Sequence, residues 1–383
     1  MTFVAHSSAG SFTTPSFIAA GAEREPLRLL AACPPYHPTP LHRLPGLAAR
    51  LGIGGLIVKD ETTRLGLGSF KALGGVYAVA TLFAEHAERT LGPLAPADYV
   101  SPRVKAVTRE LTACCASDGN HGRAVAAGAR LFGGASVVYL PATVSAERAA
   151  RIAIFGARVV RVSGSYDDAV AAAARDAAAN GWMLVGDTAP EGGDTRACAR
   201  VMQGYTVLVH EVLGALAPDA VTHVFLQAGV GGLAAAFMGH WTARRTELPR
   251  FIVVEPDSAA CCLESARQGR IARIPPGDTV MAMLECGEPS PLAWPILAAY
   301  SSAFMAVPDA AARAAVRALA RPESGDPSLE VGESGAAGLA GLLHALPRHA
   351  DALGLTGASH VLVIATECPS DRPTWQASVA NGD

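Results

Sequence analysis

From Ala113 to Ala365 the chain keeps returning to one pattern: a short apolar run, a glycine-rich or polar turn, then an alanine-rich segment of helical length. Ala113–Ala116 reads as a strand end. Ala135–Leu140, Arg158–Val162, Met183–Gly186, Thr222–Gln227, Arg250–Glu255 and Val361–Ala365 read as strands. Gly122–Phe132, Ala146–Phe155, Tyr166–Asn180 and a segment from about Thr195 to Leu216 read as helices. Alternating βαβα order implies an α/β fold with mostly parallel sheets, and sites at the carboxyl ends of the strands. Upstream, Gly55–Val58 reads as a short buried strand ending at Lys59-Asp60-Glu61, and Lys71 opens an Ala/Val-rich helix reaching about Thr90. Thr39-Pro40-Leu41 ends a proline-rich turn before a helix reaching Leu51, and the Ser/Thr/Ala-rich first ~25 residues are expected to be irregular or a loose arm.

At 383 residues the chain has room for two domains. The expected division is a large domain from residues 1–68 and 188–383, with a smaller one, 69–187, inserted in it. Half of the residues are hydrophobic and 17% are charged, enough to bury a sizeable core. The net charge is −3 and no basic stripe carries interleaved aromatics, so nucleic acid is not an expected partner. The eight cysteines form no CxxC, so neither a zinc site nor a secreted disulfide framework is expected, and they read as small buried hydrophobes. No basic start followed by an apolar run opens the chain, and Val224–Gly239 is too short and too interrupted by glycine to span a bilayer. The expected location is the cytoplasm.

Only three residues are lysine: Lys59, Lys71 and Lys105. Arginine cannot serve as a neutral amine near neutral pH. Lys71, in Ser69-Phe70-Lys71-Ala72-Leu73-Gly74-Gly75, has the small neighbours that a bulky planar cofactor needs. That points to pyridoxal phosphate (PLP), carried on a lysine Schiff base. Ala228-Gly229-Val230-Gly231-Gly232-Leu233 follows a strand and opens a helix, which makes a phosphate cradle of backbone N–H groups or simply a tight strand-to-helix turn. Its spacing is not the GxGxxG of dinucleotide sites. Ser117-Asp118-Gly119-Asn120-His121-Gly122 packs hydroxyl, carboxylate, amide and imidazole groups onto one strand end; a helix N-cap is the plainer reading. His121 alone reads as a structural hydrogen bonder. Asp187 suits a substrate amine or a helix cap, and Thr366 a heterocycle nitrogen or a surface turn.

Taken with Pro38-Thr39-Pro40-Leu41, Lys59-Asp60-Glu61, Met202-Gln203-Gly204-Tyr205, Cys286-Gly287-Glu288-Pro289, Gly332-Glu333-Ser334-Gly335-Ala336 and Thr366-Glu367, these stretches run in order from about Tyr36 to Asp371. The set resembles the fold type II (tryptophan synthase β-like) PLP enzymes and, within them, the diaminopropionate ammonia-lyases. Threonine dehydratases usually carry a serine where Asp118 stands. The resemblance implies a two-domain fold, each domain a mostly parallel sheet flanked by helices, and a homodimer. It implies that Lys71 holds PLP, with Phe70 beside it. Ala228, Gly229, Val230, Gly231 and Gly232 would grip the phosphate, Asn120 the ring hydroxyl and Thr366 the ring nitrogen. Ser117, Asp118, Gly119 and His121 would hold the substrate together with Asp187. Lys71 and Asp118 would act as bases on opposite faces of the substrate, with Asp187 the third catalytic group. No metal is implied. The implied reaction is α,β-elimination of ammonia from 2,3-diaminopropionate, giving pyruvate and ammonia. The alternatives are a serine/threonine-type dehydratase or a β-replacement synthase. A non-catalytic PLP-binding homologue is the reading from another class. Pro190 and Gly193 stand where the family carries aromatics, Cys368-Pro369-Ser370 replaces a small acidic stretch, and Gly68 stands where asparagine is common. These departures bear on the substrate and leave PLP binding intact.

Overall fold

The computed structural model describes residues 2–6, 12–33, 35–117, 119–164, 166–189 and 192–380. Two compact units emerge. One comprises residues 1–20, 38–63 and 208–383, and the other residues 21–37 and 64–207.

The first unit carries a seven-stranded sheet in the order Phe3–Ala5, Ala303–Val307, Arg250–Pro256, His223–Gln227, His360–Ala365, Gly55–Asp60, Leu41–Arg43. The five inner strands are parallel, and the two short outer ones run antiparallel to their neighbours. His223–Gln227 is buried at every position, as a strand covered on both faces must be. Its neighbours contribute Ile252, Val254, Val361 and Val363 to one core with Leu339, Ala340 and Leu342 of the helix Ala337–Leu353. The parallel register aligns the carboxyl ends of the inner strands, so Gln227 and Ala365 finish on neighbouring strands. The amino-terminal stretch is not the loose arm expected of it. Phe3–Ala5 pairs with Ala303–Met305, and the Phe3 ring stacks on His349 at 4.4 Å. Ile18 is fully buried in space that Gly239 leaves open, where a Cβ would come within 2.4 Å of it. Burying Ile18 and half-burying Phe3 outweighs the polar composition around them.

The second unit carries four parallel strands in the order Arg158–Val162, Ala135–Pro141, Thr112–Ala116, Met183–Leu184. Helix Lys71–Leu91 packs on helix Asn120–Leu131 through glycines. A Cβ on Gly75 would meet that of Ala124 at 2.6 Å. Segments 21–37 and 188–207 belong to this unit because they pack on it: Gln203 Nε2 donates to Ala22 O, Arg64 donates to His37 O, and Gly204 lies against Leu73 and Gly74. Among the described residues no helix is long and apolar enough to cross a membrane.

Candidate active site

In the second unit, strands Thr112–Ala116 and Met183–Leu184 are parallel neighbours, so the turns that follow them emerge side by side. Ser117 follows the first. Its Oγ accepts hydrogen bonds from the N–H groups of Gly119 (3.0 Å) and Gly122 (2.8 Å) and so folds the turn back on itself. Gly119 caps the helix at φ 155°, a conformation open to glycine, and the helix then begins at Asn120. Asn120 is half-buried. Asp118 lies outside the described residues. His121 is buried, and its Nε2 lies 2.7 Å from Val185 O, which makes Nε2 the protonated nitrogen. Burial lowers the imidazole pKa against the pull of Asp187, so the ring is neutral and ties the Ser117 turn to the neighbouring strand end.

Two residues beyond Val185, Asp187 receives a hydrogen bond and an ion pair from Lys71 Nζ. Burial alone would favour its neutral form. The Lys71 ammonium overcomes that and holds the carboxyl well below the usual carboxylate range. Lys71 is the first residue of its helix, and its side chain is 20% exposed. Its Nζ lies 5.6 Å from the centre of the Phe70 ring, which stacks obliquely on Tyr205 at 4.9 Å. The Tyr205 hydroxyl is buried beside Lys71 without a well-formed hydrogen bond. This residue was legible only as part of a Gln-Gly-Tyr marker.

In the first unit the glycine turn leaves Gln227 and enters helix Gly232–Thr242, with Gly231 as a left-handed N-cap at φ 87°. The first N–H groups of such a helix have no intrahelical acceptor and suit an anion. Bare backbone is required here: a Cβ would come within 2.9 Å of Cys286 Sγ at Gly229 and within 2.7 Å of Leu297 at Gly231. Gln227 Nε2 lies within reach of Ser334 O, Gly335 O, Ile364 O and Thr366 Oγ1, the last at 3.0 Å. Since Thr366 accepts from Gln227, its own O–H remains available as a donor. Nothing in the local sequence marked this glutamine as the organiser of the Thr366 turn.

The marker residue Lys59 is a packing element. Its side chain is buried; Nζ donates to Thr39 O (2.7 Å) and Glu211 Oε2 (2.6 Å), and Thr39 Oγ1 donates to Glu61.

PLP needs a primary amine for its carbonyl carbon, an anion site for its phosphate and a partner for its ring nitrogen. Each unit by itself offers part of this chemistry: Lys71 in the second is a primary amine, and in the first the start of helix Gly232–Thr242 suits an anion and the Thr366 hydroxyl can serve a ring nitrogen. Comparison with known proteins agrees. Residues 33–367 match the family described as pyridoxal-phosphate dependent enzyme. The chain is 39% identical over 363 residues to the diaminopropionate ammonia-lyase of Salmonella typhimurium, covering 91% of this chain and 89% of that one. It superposes on the holo diaminopropionate ammonia lyase of Escherichia coli with a TM-score of 0.90 at 32% identity, covering 99% of this chain and 96% of that one. The same enzyme in complex with an aminoacrylate–PLP azomethine reaction intermediate gives a TM-score of 0.87 at 32% identity, covering 99% and 98%. The chain belongs to the pyridoxal-phosphate dependent enzymes of fold type II, and PLP is its cofactor.

Proposed function

We propose that this enzyme is an ammonia-lyase that eliminates ammonia from 2,3-diaminopropionate, after which hydrolysis by one water releases pyruvate and a second ammonia. The observation that carries the reading is the pairing of Lys71 with Asp187, beside the Ser117–Gly122 turn. It sets a carboxylate next to the reacting amine, where a substrate bearing a second, cationic amine has a counter-charge. When bound, PLP supplies an electron sink for the carbanion formed at the substrate Cα.

The chain's residues do the rest. Lys71 would carry the cofactor, the N–H groups of Gly229 to Gly232 would hold its phosphate, and Asn120 would serve its ring hydroxyl. Thr366 would donate to the ring nitrogen, so that no proton would be needed there, which would suit elimination better than transamination. The N–H groups of the Ser117–Gly122 turn receive the substrate carboxylate. Lys71 Nζ takes the Cα proton from one face and Asp118 takes it from the other, so both enantiomers react. The Cβ–N bond breaks with its electron pair leaving on nitrogen as ammonia. Asp187 attracts the β-ammonium of the incoming substrate and afterwards holds the Lys71 ammonium. His121, neutral and bonded to Val185, keeps the two turns together. A cytoplasmic homodimer is the expected form.

The test is pyruvate release from the PLP-loaded enzyme with D- and L-2,3-diaminopropionate, with serine and threonine as controls. Rapid pyruvate from both diaminopropionate enantiomers supports the lyase. A higher rate with serine or threonine moves the reaction to a dehydratase, with Pro190 and Gly193 the first residues to exchange for aromatics.

A further inference from the structure

Tyr205 occupies a niche cut for it. A Cβ on Gly74 would lie 2.6 Å from its ring and 2.6 Å from Val201 O. Gly204 lies so close to Leu73 O and the Gly74 Cα that any Cβ there would sit within 2.5 and 2.7 Å. Gly74 is three residues after Lys71 on one helix, so the opening it leaves is on the lysine's own face. The ring is fixed from the side by Phe70. Phenylalanine would fill the niche equally well. The hydroxyl instead sits buried beside Lys71 without a well-formed hydrogen bond, an arrangement that costs about 1–3 kcal/mol unless another state of the site supplies a better one. The charged and titratable groups facing it are Lys71, Asp187 and Cys198, and Lys71 in turn faces Asp187 and His121. Burial pushes the phenol far above its ordinary range, so it stays an O–H donor throughout the working pH range. Asp187 has no proton to give. The neutral Lys71 amine, once it leaves Asp187, is the neighbour with a lone pair to offer.

Resting on the reading of Lys71 as the cofactor lysine and base, we propose that Tyr205 is a positioning residue: its hydroxyl donates to the Lys71 nitrogen lone pair, keeps the freed amine neutral and holds it beside the substrate until the lone pair is needed. It transfers no proton. The Tyr205 O–H is released as the lone pair turns to the Cα proton, and the ammonium formed by that transfer pairs with Asp187. The two partners favour opposite charge states of one amine.

The test compares holoenzyme carrying Tyr205→Phe, Tyr205→Leu or Lys71→Ala with the unaltered protein, following the cofactor's visible band against pH and the pH profile of kcat on diaminopropionate. In Tyr205→Phe the band is retained, its pH midpoint moves by about half a unit or more, and kcat falls about tenfold, the scale of one hydrogen bond. The acidic limb of kcat moves to higher pH, because the ammonium form is no longer opposed. Tyr205→Leu shows the same pH shift with an added loss of packing stability. A Tyr205→Phe enzyme with unaltered kcat, acidic limb and band midpoint overturns the proposal and leaves the ring as packing alone. Loss of the band in Lys71→Ala beside such a silent phenylalanine variant sinks this inference and spares the lysine assignment. A band that survives Lys71→Ala sinks both.

Discussion

Two lysines meet carboxylates in this molecule, and the two sites are built to opposite ends. Lys59 lies in the first unit with its side chain 1% exposed, bonded to Thr39 O and Glu211, with Glu61 at 3.8 Å and itself held by Thr39. Its donors have fixed acceptors, and nothing there awaits a ligand. Lys71 in the second unit is paired with Asp187, is 20% exposed, and is bordered by a buried phenol without a well-formed hydrogen bond and by an imidazole with an unbonded buried nitrogen. A saturated network rigidifies, and removing one member leaves the others buried and uncompensated. An unsaturated one can exchange partners, as a reaction cycle requires. The pair teaches that burial and ion pairing alone do not mark a catalytic lysine; unmet hydrogen-bonding capacity around it does.

The largest effect that tests this contrast is on catalysis. Lys71→Ala lowers pyruvate release by about 10⁴-fold or more and abolishes the visible band, since it removes both cofactor attachment and a base. Lys59→Met leaves the band in place and acts on stability. Stranding Glu211 and Glu61 costs about 3–5 kcal/mol, read from urea unfolding midpoints. A smaller midpoint shift for Lys59→Met than for Lys71→Ala reverses the comparison. Next in size is Asp118→Asn, which slows one enantiomer of diaminopropionate about 100-fold and the other only a few-fold. Equal losses on both would show that Asp118 binds or orients the substrate and does not serve one face as base.

How far the sequence reached follows the same division. The inner strands were legible because burial on both faces writes them as unbroken apolar runs such as Val224-Phe225-Leu226. The edge strands Phe3–Ala5 and Leu41–Arg43 were not, being three residues long and defined by partners remote in the chain. Ala303–Val307 escaped as well, since two of its five residues are alanine. Lys71 stood out through the scarcity of lysine and the glycines beside it. Tyr205 did not, because its meaning depends on a niche at Gly74 and an ammonium far away in sequence. Lys59 carried an equally conspicuous motif, and only its saturated surroundings reveal it as structural.

A third buried carboxylate sharpens the comparison by having no lysine at all. Glu255 is fully buried at the end of strand Arg250–Pro256 and accepts the N–H groups of Cys262 (2.7 Å) and Leu263 (2.8 Å), with the thiols of Cys261 and Cys262 beside it. Burial pushes its pKa from 4.5 up to about 7, against the lowering effect of those hydrogen bonds. Between these two values the folded protein holds a proton that the unfolded chain has released. Folding stability therefore falls as pH rises through this window, by roughly 1 kcal/mol per pH unit at most from one group, and is flat above it. Asp187, with its lysine, has the opposite sign: its contribution is present above the unfolded carboxylate value and is lost only in strong acid. Urea midpoints of the unaltered protein and Glu255→Gln at pH 5, 6, 7 and 8 isolate the term. The difference between the two curves should narrow or reverse as pH rises to 7 and then hold constant. A difference independent of pH across the window would mean that Glu255 stays ionised in the fold and that two backbone N–H groups suffice to replace a lysine.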